Sequence, residues 1–152
     1  LIDIDMIKAD FQIISSRVVK FELETRDWNE EKENISVSNN YDYEIIKLEE
    51  NEQLYYGVLH FKSYFTAKVK NKLLFKVNII YEGAFIGKKE KLGMQDFKNM
   101  LELNGIVTLA HLTRAYVISC TALAGFNPPV RLPLINIHKL KEMKEQTMTQ
   151  KQ

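Results

Sequence analysis

Apolar and polar residues alternate between Phe11 and Thr25, where Val19, Phe21 and Leu23 interleave with Lys20, Glu22 and Glu24. A period of two sends the two sets to opposite faces of an extended chain and predicts a half-buried strand. Tyr41, Tyr43 and Ile45 against Asp42 and Glu44 predict a second strand over 41–50, and the β-branched and aromatic run LYYGVLHFKSYFTAKV predicts a third. After a Lys-Asn-Lys turn, Phe75, Val77, Ile79 and Tyr81 alternate with Lys76, Asn78 and Glu82, a fourth strand expected to stop at the breaks Gly83 and Gly87. Short turns between such strands suggest an antiparallel meander. The stretch RDWNEEKENISVSNN is polar and aperiodic, so it reads as a long connection whose one large apolar group is Trp28.

Beyond Met94 the period lengthens to that of a helix. Phe97, Met100, Leu101 and Leu103 fall on one side of MQDFKNMLELN, a short helix expected to be interrupted at Gly105. IVTLAHLTRAYVISCTALAG then runs for about five and a half turns with Arg114 as its single charge. Leu109, Leu112, Tyr116, Cys120 and Leu123 make a bulky side, while Thr108, Ala115, Ser119 and Ala122 make a side of small residues that lets another helix approach. Its length would suit a membrane span, but a mid-segment Arg costs at least about 2.5 kcal/mol in lipid. Following four amphipathic strands, it reads as a buried helix of a soluble protein with no membrane span. One sheet covers only one of its sides, so a second subunit is expected on the other, most simply across a two-fold axis. Thr108, Ala115, Ser119 and Ala122 are the candidate interface. After the stop signal Gly125, FNPPVRLPLINI carries three prolines and predicts an extended apolar strap. HKLKEMKEQTMTQKQ reads as a charged terminal helix fraying into a mobile tail over 141–152.

Composition sharpens this outline. A chain of 152 residues, 45% hydrophobic and 27% charged, fits a single domain over 1–152 with its core over about 11–140. A net charge of +1 provides no overall field for a nucleic acid or an anionic membrane. The near-neutral total hides two blocks: nine acids against two lysines from Asp27 to Glu52, and eight lysines against two glutamates from Lys62 to Lys91. Neighbouring antiparallel strands would bring these charges together on the solvated face. Cys120 is alone, which excludes an internal disulfide and a cysteine zinc site and fits a reducing, cytoplasmic compartment; it reads as a small buried hydrophobe. Three aspartates between Leu1 and Phe11 argue against a secretory leader.

Signs of catalysis are missing. There is no phosphate-cradling glycine loop, nucleophile elbow, H-E-x-x-H or C-x-x-C, so the chain reads as a non-enzyme with no catalytic residue, cofactor or metal. No two of His60, His111 and His138 stand at metal-ligand spacing. His111 and Cys120, nine residues apart on one helix, point in opposite directions and cannot form a thiolate pair. Arg114 is suited to buried carbonyls or an intersubunit ion pair, with a carboxylate grip as the alternative. Eight Phe and seven Tyr are many for a small sheet. Tyr41, Tyr43, Tyr55, Tyr56, Tyr64, Phe65 and Phe85 therefore belong either to core and interface or to an exposed apolar surface. With the flexible Met94 and Met100, such a surface would make a tolerant groove for apolar peptide segments.

Four strands, a short helix, a long apolar helix and then GFNPPVRLPLIN resemble the SecB protein-export chaperones, whose chains carry a similar glycine, Phe, double-Pro and Leu-Pro strap after the long helix. FKVNIIYEGAFIG looks like that family's last strand, RDW resembles a motif in its first loop, and Arg114 falls where the family has an Arg; the likeness covers roughly 11–140. The resemblance implies an α+β fold and a dimer of dimers, a homotetramer with long helices between two sheets. The implied activity is ATP-independent holding of unfolded or pre-export polypeptides. Its client groove maps to Trp28, Met100, Leu101, Leu103, Phe126, Leu132 and Leu134. The family's export members dock the SecA motor on an acidic sheet surface. Here Lys76 and Asn78 stand where a Leu and a Glu would be expected, and only Glu22 is retained. SecA thus stands as one possible partner beside an unstable antitoxin, the client of SecB-like chaperones in toxin-antitoxin systems. A non-chaperone oligomeric adaptor is the remaining alternative.

Overall fold

Strand β1 (Phe11–Thr25) fills the segment its pattern predicts, but irregularities between Ile13 and Ser15 and between Val18 and Lys20 interrupt the alternation, so that Val18 packs with Phe21 and Leu23 while Val19 is exposed. β2 (Ile35–Glu50), β3 (Leu54–Val69) and β4 (Lys72–Lys88) complete one antiparallel sheet. The computed structural model describes residues 1–26 and 34–151. The strand order is β1-β4-β3-β2, so β2, β3 and β4 form the expected meander while β1 lies beyond β4. Strands β1 and β2 are the two edges, three strand spacings or about 14 Å apart. That separation is why the first link is long while the others are tight turns, the β3–β4 turn using left-handed Lys70 and Asn71 (φ 49° and 65°).

Two strands outrun their sequence signals. β2 begins at Ile35, inside the Ser- and Asn-rich run read as connection, because Ile35 to Asn40 pair in register with Val69 to Tyr64 of β3. Pairing outweighs weak intrinsic preference. β4 passes straight through Gly83 and Gly87, which were expected to break it. These glycines and Gly57 serve close approach instead: an ideal Cβ at Gly57 would lie 2.6 Å from Leu101 Cδ1, at Gly83 2.8 Å from Leu109 Cδ2, and at Gly87 2.7 Å from Phe97 Cδ2.

The helices also differ from expectation at one point. α1 (Met94–Met100) does not break at Gly105 but continues through a π-helical turn, Leu101–Gly105, into α2 (Ile106–Leu123). A Cβ at Gly105 would sit 3.1 Å from Leu59 Cδ2, so this glycine lets the turn press on the sheet. α2 buries Ile106, Leu109, Thr113, Val117 and Thr121, a stripe at spacings of three and four. The terminal helix α3 (Ile137–Thr149) is capped by the Asn136 side chain, which accepts from the Lys139 amide at 3.0 Å.

The core lies between sheet and helices in two clusters. One centres on Phe85, which stacks on Phe11 at 5.2 Å, and on Phe97, which stacks on Tyr55 at 5.4 Å. The other joins Phe65, Val77 and Ile79 to Val117 and to Val130 and Leu132 of the strap. Of the aromatics in question, Tyr43, Tyr55, Phe65 and Phe85 are buried, whereas Tyr64 is exposed. On the solvated face the two charge blocks meet, with Lys62 2.9 Å from Glu44 and Lys89 2.6 Å from Glu50. Glu82 bridges Arg17 and His60, each at 2.7 Å, across three strands.

Candidate functional site

The strap from Phe126 to Asn136 has neither helix nor strand, so its backbone polar groups need partners from elsewhere. α2 supplies two from one flank, about two turns apart. The Thr121 hydroxyl donates to Val117 O at 2.7 Å and accepts from Val130 N–H at 2.9 Å, and Arg114 Nε donates to Leu132 O at 2.8 Å. Arg114 thereby binds a carbonyl, one of the roles the sequence left open to it. These ties hold the strap beside α2 and leave a cleft of about 250 Å³ between them. Its floor is Tyr41 and Phe61 of the sheet, one wall is Val107, Ala110, His111 and Arg114 of α2, and the other is Leu132 to Ile135 with Ile137. The lining is apolar but for His111, Arg114 and the Tyr41 hydroxyl, an arrangement suited to burying a side chain rather than to chemistry.

The residues assigned to a client groove are distributed over three places. Leu132 and Leu134 both line this cleft, Leu132 almost closed off (3% exposed) and Leu134 open (75% exposed). Met100 and Leu103 are half-buried against the first core cluster, and Leu101 lies wholly inside it. Phe126 packs edge-to-face on Phe75 at 4.9 Å near the second cluster. Trp28 lies outside the described residues. Tyr41, one of the aromatics open to an exposed apolar groove, lines the cleft, and Phe61, Val107, Ala110 and Ile135 join it without having been singled out. The β2–β3 register, in which Tyr43 faces Phe61 and Tyr41 faces Ser63, sets Phe61 against Tyr41.

The outer face of α2 is the second notable surface. Ala115, Ser119 and Ala122 are exposed and Thr108 is half-buried. The hydroxyls of Thr108 and Ser119 bond back to Asn104 O and Ala115 O at 2.8 and 3.0 Å, leaving a face with no outstanding polar demand. The run Met94–Leu123 is long and apolar enough to cross a membrane, and only 28% of its most apolar stretch is buried by this chain.

α3 closes the far end of the site over β2. Lys144 Nζ lies 2.6 Å from Asp42, donates to Tyr43 O and sits 4.9 Å over the Tyr43 ring. Burial, followed by the hydrogen bond to Glu102 at 3.0 Å, raises the Tyr43 phenol well above its ordinary pKa. Residues 141–149, expected to fray, are thus part of a helix tied to the sheet edge.

No family model matches this chain, and no curated protein matches it. Solved structures do. A SecB-like chaperone of Mycobacterium tuberculosis, in complex with a ChAD peptide from an antitoxin, is 12% identical with a TM-score of 0.64 over 86% of this chain and 94% of its own. A protein of unknown function from Streptococcus agalactiae is 14% identical with a TM-score of 0.45, over 83% of this chain and all of its own. The fold, a four-stranded antiparallel sheet backed by a long helix, is SecB-like.

Proposed function

We propose that this chain, built on a SecB-like fold, is an ATP-independent chaperone that holds unfolded polypeptides and performs no chemistry on them. The observation that carries this reading is the apolar cleft beneath the strap, open at Leu134 and fixed by Arg114 and Thr121, within the fold of a SecB-like chaperone that itself binds a peptide. Burial at about 25 cal/mol per Å² over several small apolar subsites gives binding with little sequence preference. The subsites are Leu132 and Leu134 in the cleft, with Met100, Leu101, Leu103, Phe126 and Trp28 as the other client-binding positions. Leu101, enclosed in the single chain, contributes only if the helix shifts off the sheet.

The working form is a cytoplasmic homotetramer, a dimer of dimers in which Thr108, Ala115, Ser119 and Ala122 face a second copy. Supporting this is the bare outer face of α2, which water would otherwise have to solvate.

A second reading, that the client is an unstable antitoxin rather than a pre-export chain, is favoured by two observations. The SecB-like chaperone of M. tuberculosis was solved with an antitoxin peptide. On the sheet surface where export members receive SecA, Asn78 contacts Glu22 at 3.3 Å and Lys76 contacts Glu24 at 3.2 Å, so the acids there already have partners. The test is size-exclusion chromatography with light scattering, with and without a slowly folding denatured client diluted into native buffer. A tetramer co-eluting with the client without nucleotide is the expected result; a monomer that ignores it removes the chaperone reading. Trp28→Ala should weaken client binding and leave the oligomer intact.

A further inference from the structure

The cleft beneath the strap has a polarity that general apolar binding does not use. Apart from the Tyr41 phenol its ionisable side chains are His111 and Arg114, both basic, and no Asp or Glu lines it. Among the described residues, no carboxylate lies within ion-pair distance of either. Arg114 commits Nε to Leu132 O, which fixes the guanidinium at the strap and leaves its terminal amino groups for another acceptor. His111 is exposed at the rim.

We propose that the cleft takes an extended apolar segment bearing an aspartate or glutamate side chain, with the carboxylate held by Arg114 and His111. The inference rests on the chain being a peptide binder and adds which peptides it prefers. Capping both ends of a probe peptide separates a side-chain carboxylate from a chain terminus, which offers the same group. A lysine in the same place would set like charges together and be rejected.

The probe is a fluorescein-labelled peptide of alternating Leu and Ser, capped at both ends, with a central Glu, Gln or Lys, titrated with the full chain by fluorescence anisotropy at pH 7. The expected order is Glu, then Gln, then Lys, with Glu about tenfold tighter than Gln. His111→Glu, a change at an exposed position outside the core, should reverse the order of the Glu and Lys peptides. Arg114→Gln should remove the preference for Glu; because Arg114 also ties the strap, His111→Glu decides the matter if that variant does not fold. Equal affinity for the three peptides overturns the acidic preference and leaves the holdase reading standing. Failure of all three, together with failure to bind a denatured client, overturns both. Peptide binding that declines as protein concentration rises shows a second copy filling the cleft and also overturns the proposal.

Discussion

Inner and outer faces of α2 both carry hydroxyl residues, under opposite conditions. Toward the sheet, Thr113 and Thr121 are sealed among Ile106, Leu109 and Val117; on the outer side, Ala115, Ser119 and Ala122 meet solvent beside the half-buried Thr108. Of these, the bulky aliphatic side chains stand inside and serine and alanine outside, but a hydroxyl stands on each face. What distinguishes those hydroxyls is whether a partner surface is already in place. Outside, Ser119 is satisfied by its own helix, and exposing it costs little. Inside, the two threonines differ again, because Thr121 joins helix to strap while the buried Thr113 hydroxyl has no partner. Depth alone therefore says little about whether a polar group stabilises the fold.

The largest effect should come from the inner packing. Phe97, fully buried between Phe11 and Tyr55, should cost about 3–5 kcal/mol when changed to Ala, measured by urea unfolding. The paired threonines sharpen the comparison. Thr121→Val should lose about 1–3 kcal/mol by orphaning Val130 N–H, whereas Thr113→Val, of similar shape and at the same depth, should lose nothing or gain. Equal losses at both positions would break the distinction. On the outer face, Ala115→Glu should preserve the helical circular dichroism yet lower the particle mass at least about twofold in light scattering. An unchanged mass would remove that face from the assembly.

The smallest effect concerns pH. Arg17, then His60, hold the Glu82 carboxyl below its ordinary value near 4.5. A depressed native pKa contributes stability that is complete above the unfolded value and disappears as pH falls through the native one. Arg17→Gln should therefore move the acid-unfolding midpoint to higher pH, by less than about one unit because Arg17 is exposed. A shift in the other direction would contradict the bridge.

Local pattern was enough for the elements themselves. The apolar-polar pattern located β1 to its ends though not its irregularities, the run LYYGVLHFKSYFTAKV matched β3, and of the roles open to the lone Arg114, which were buried carbonyls, an intersubunit ion pair or a carboxylate, the carbonyl partner is present as Leu132 O. These features depend on neighbours within a few residues, and a period of two or 3.6 records them directly. The order of motifs ending in GFNPPVRLPLIN also pointed to a SecB-like fold before any coordinates.

Tertiary structure decided what depends on distant partners. Gly83, Gly87 and Gly105 look like breaks in isolation, yet strand pairing and the need for Leu109, Phe97 and Leu59 to approach the backbone make them continuous with β4 and the long helix. The edge position of β1, the extension of β2 to Ile35 and the docking of α3 through Lys144 all follow from contacts far apart in the chain. The cleft belongs to the same class. Tyr41, Phe61, His111 and Ile135 share no local motif and meet only because Arg114 and Thr121 hold the strap against the helix, so their common surface exists in the fold and in no segment of the sequence.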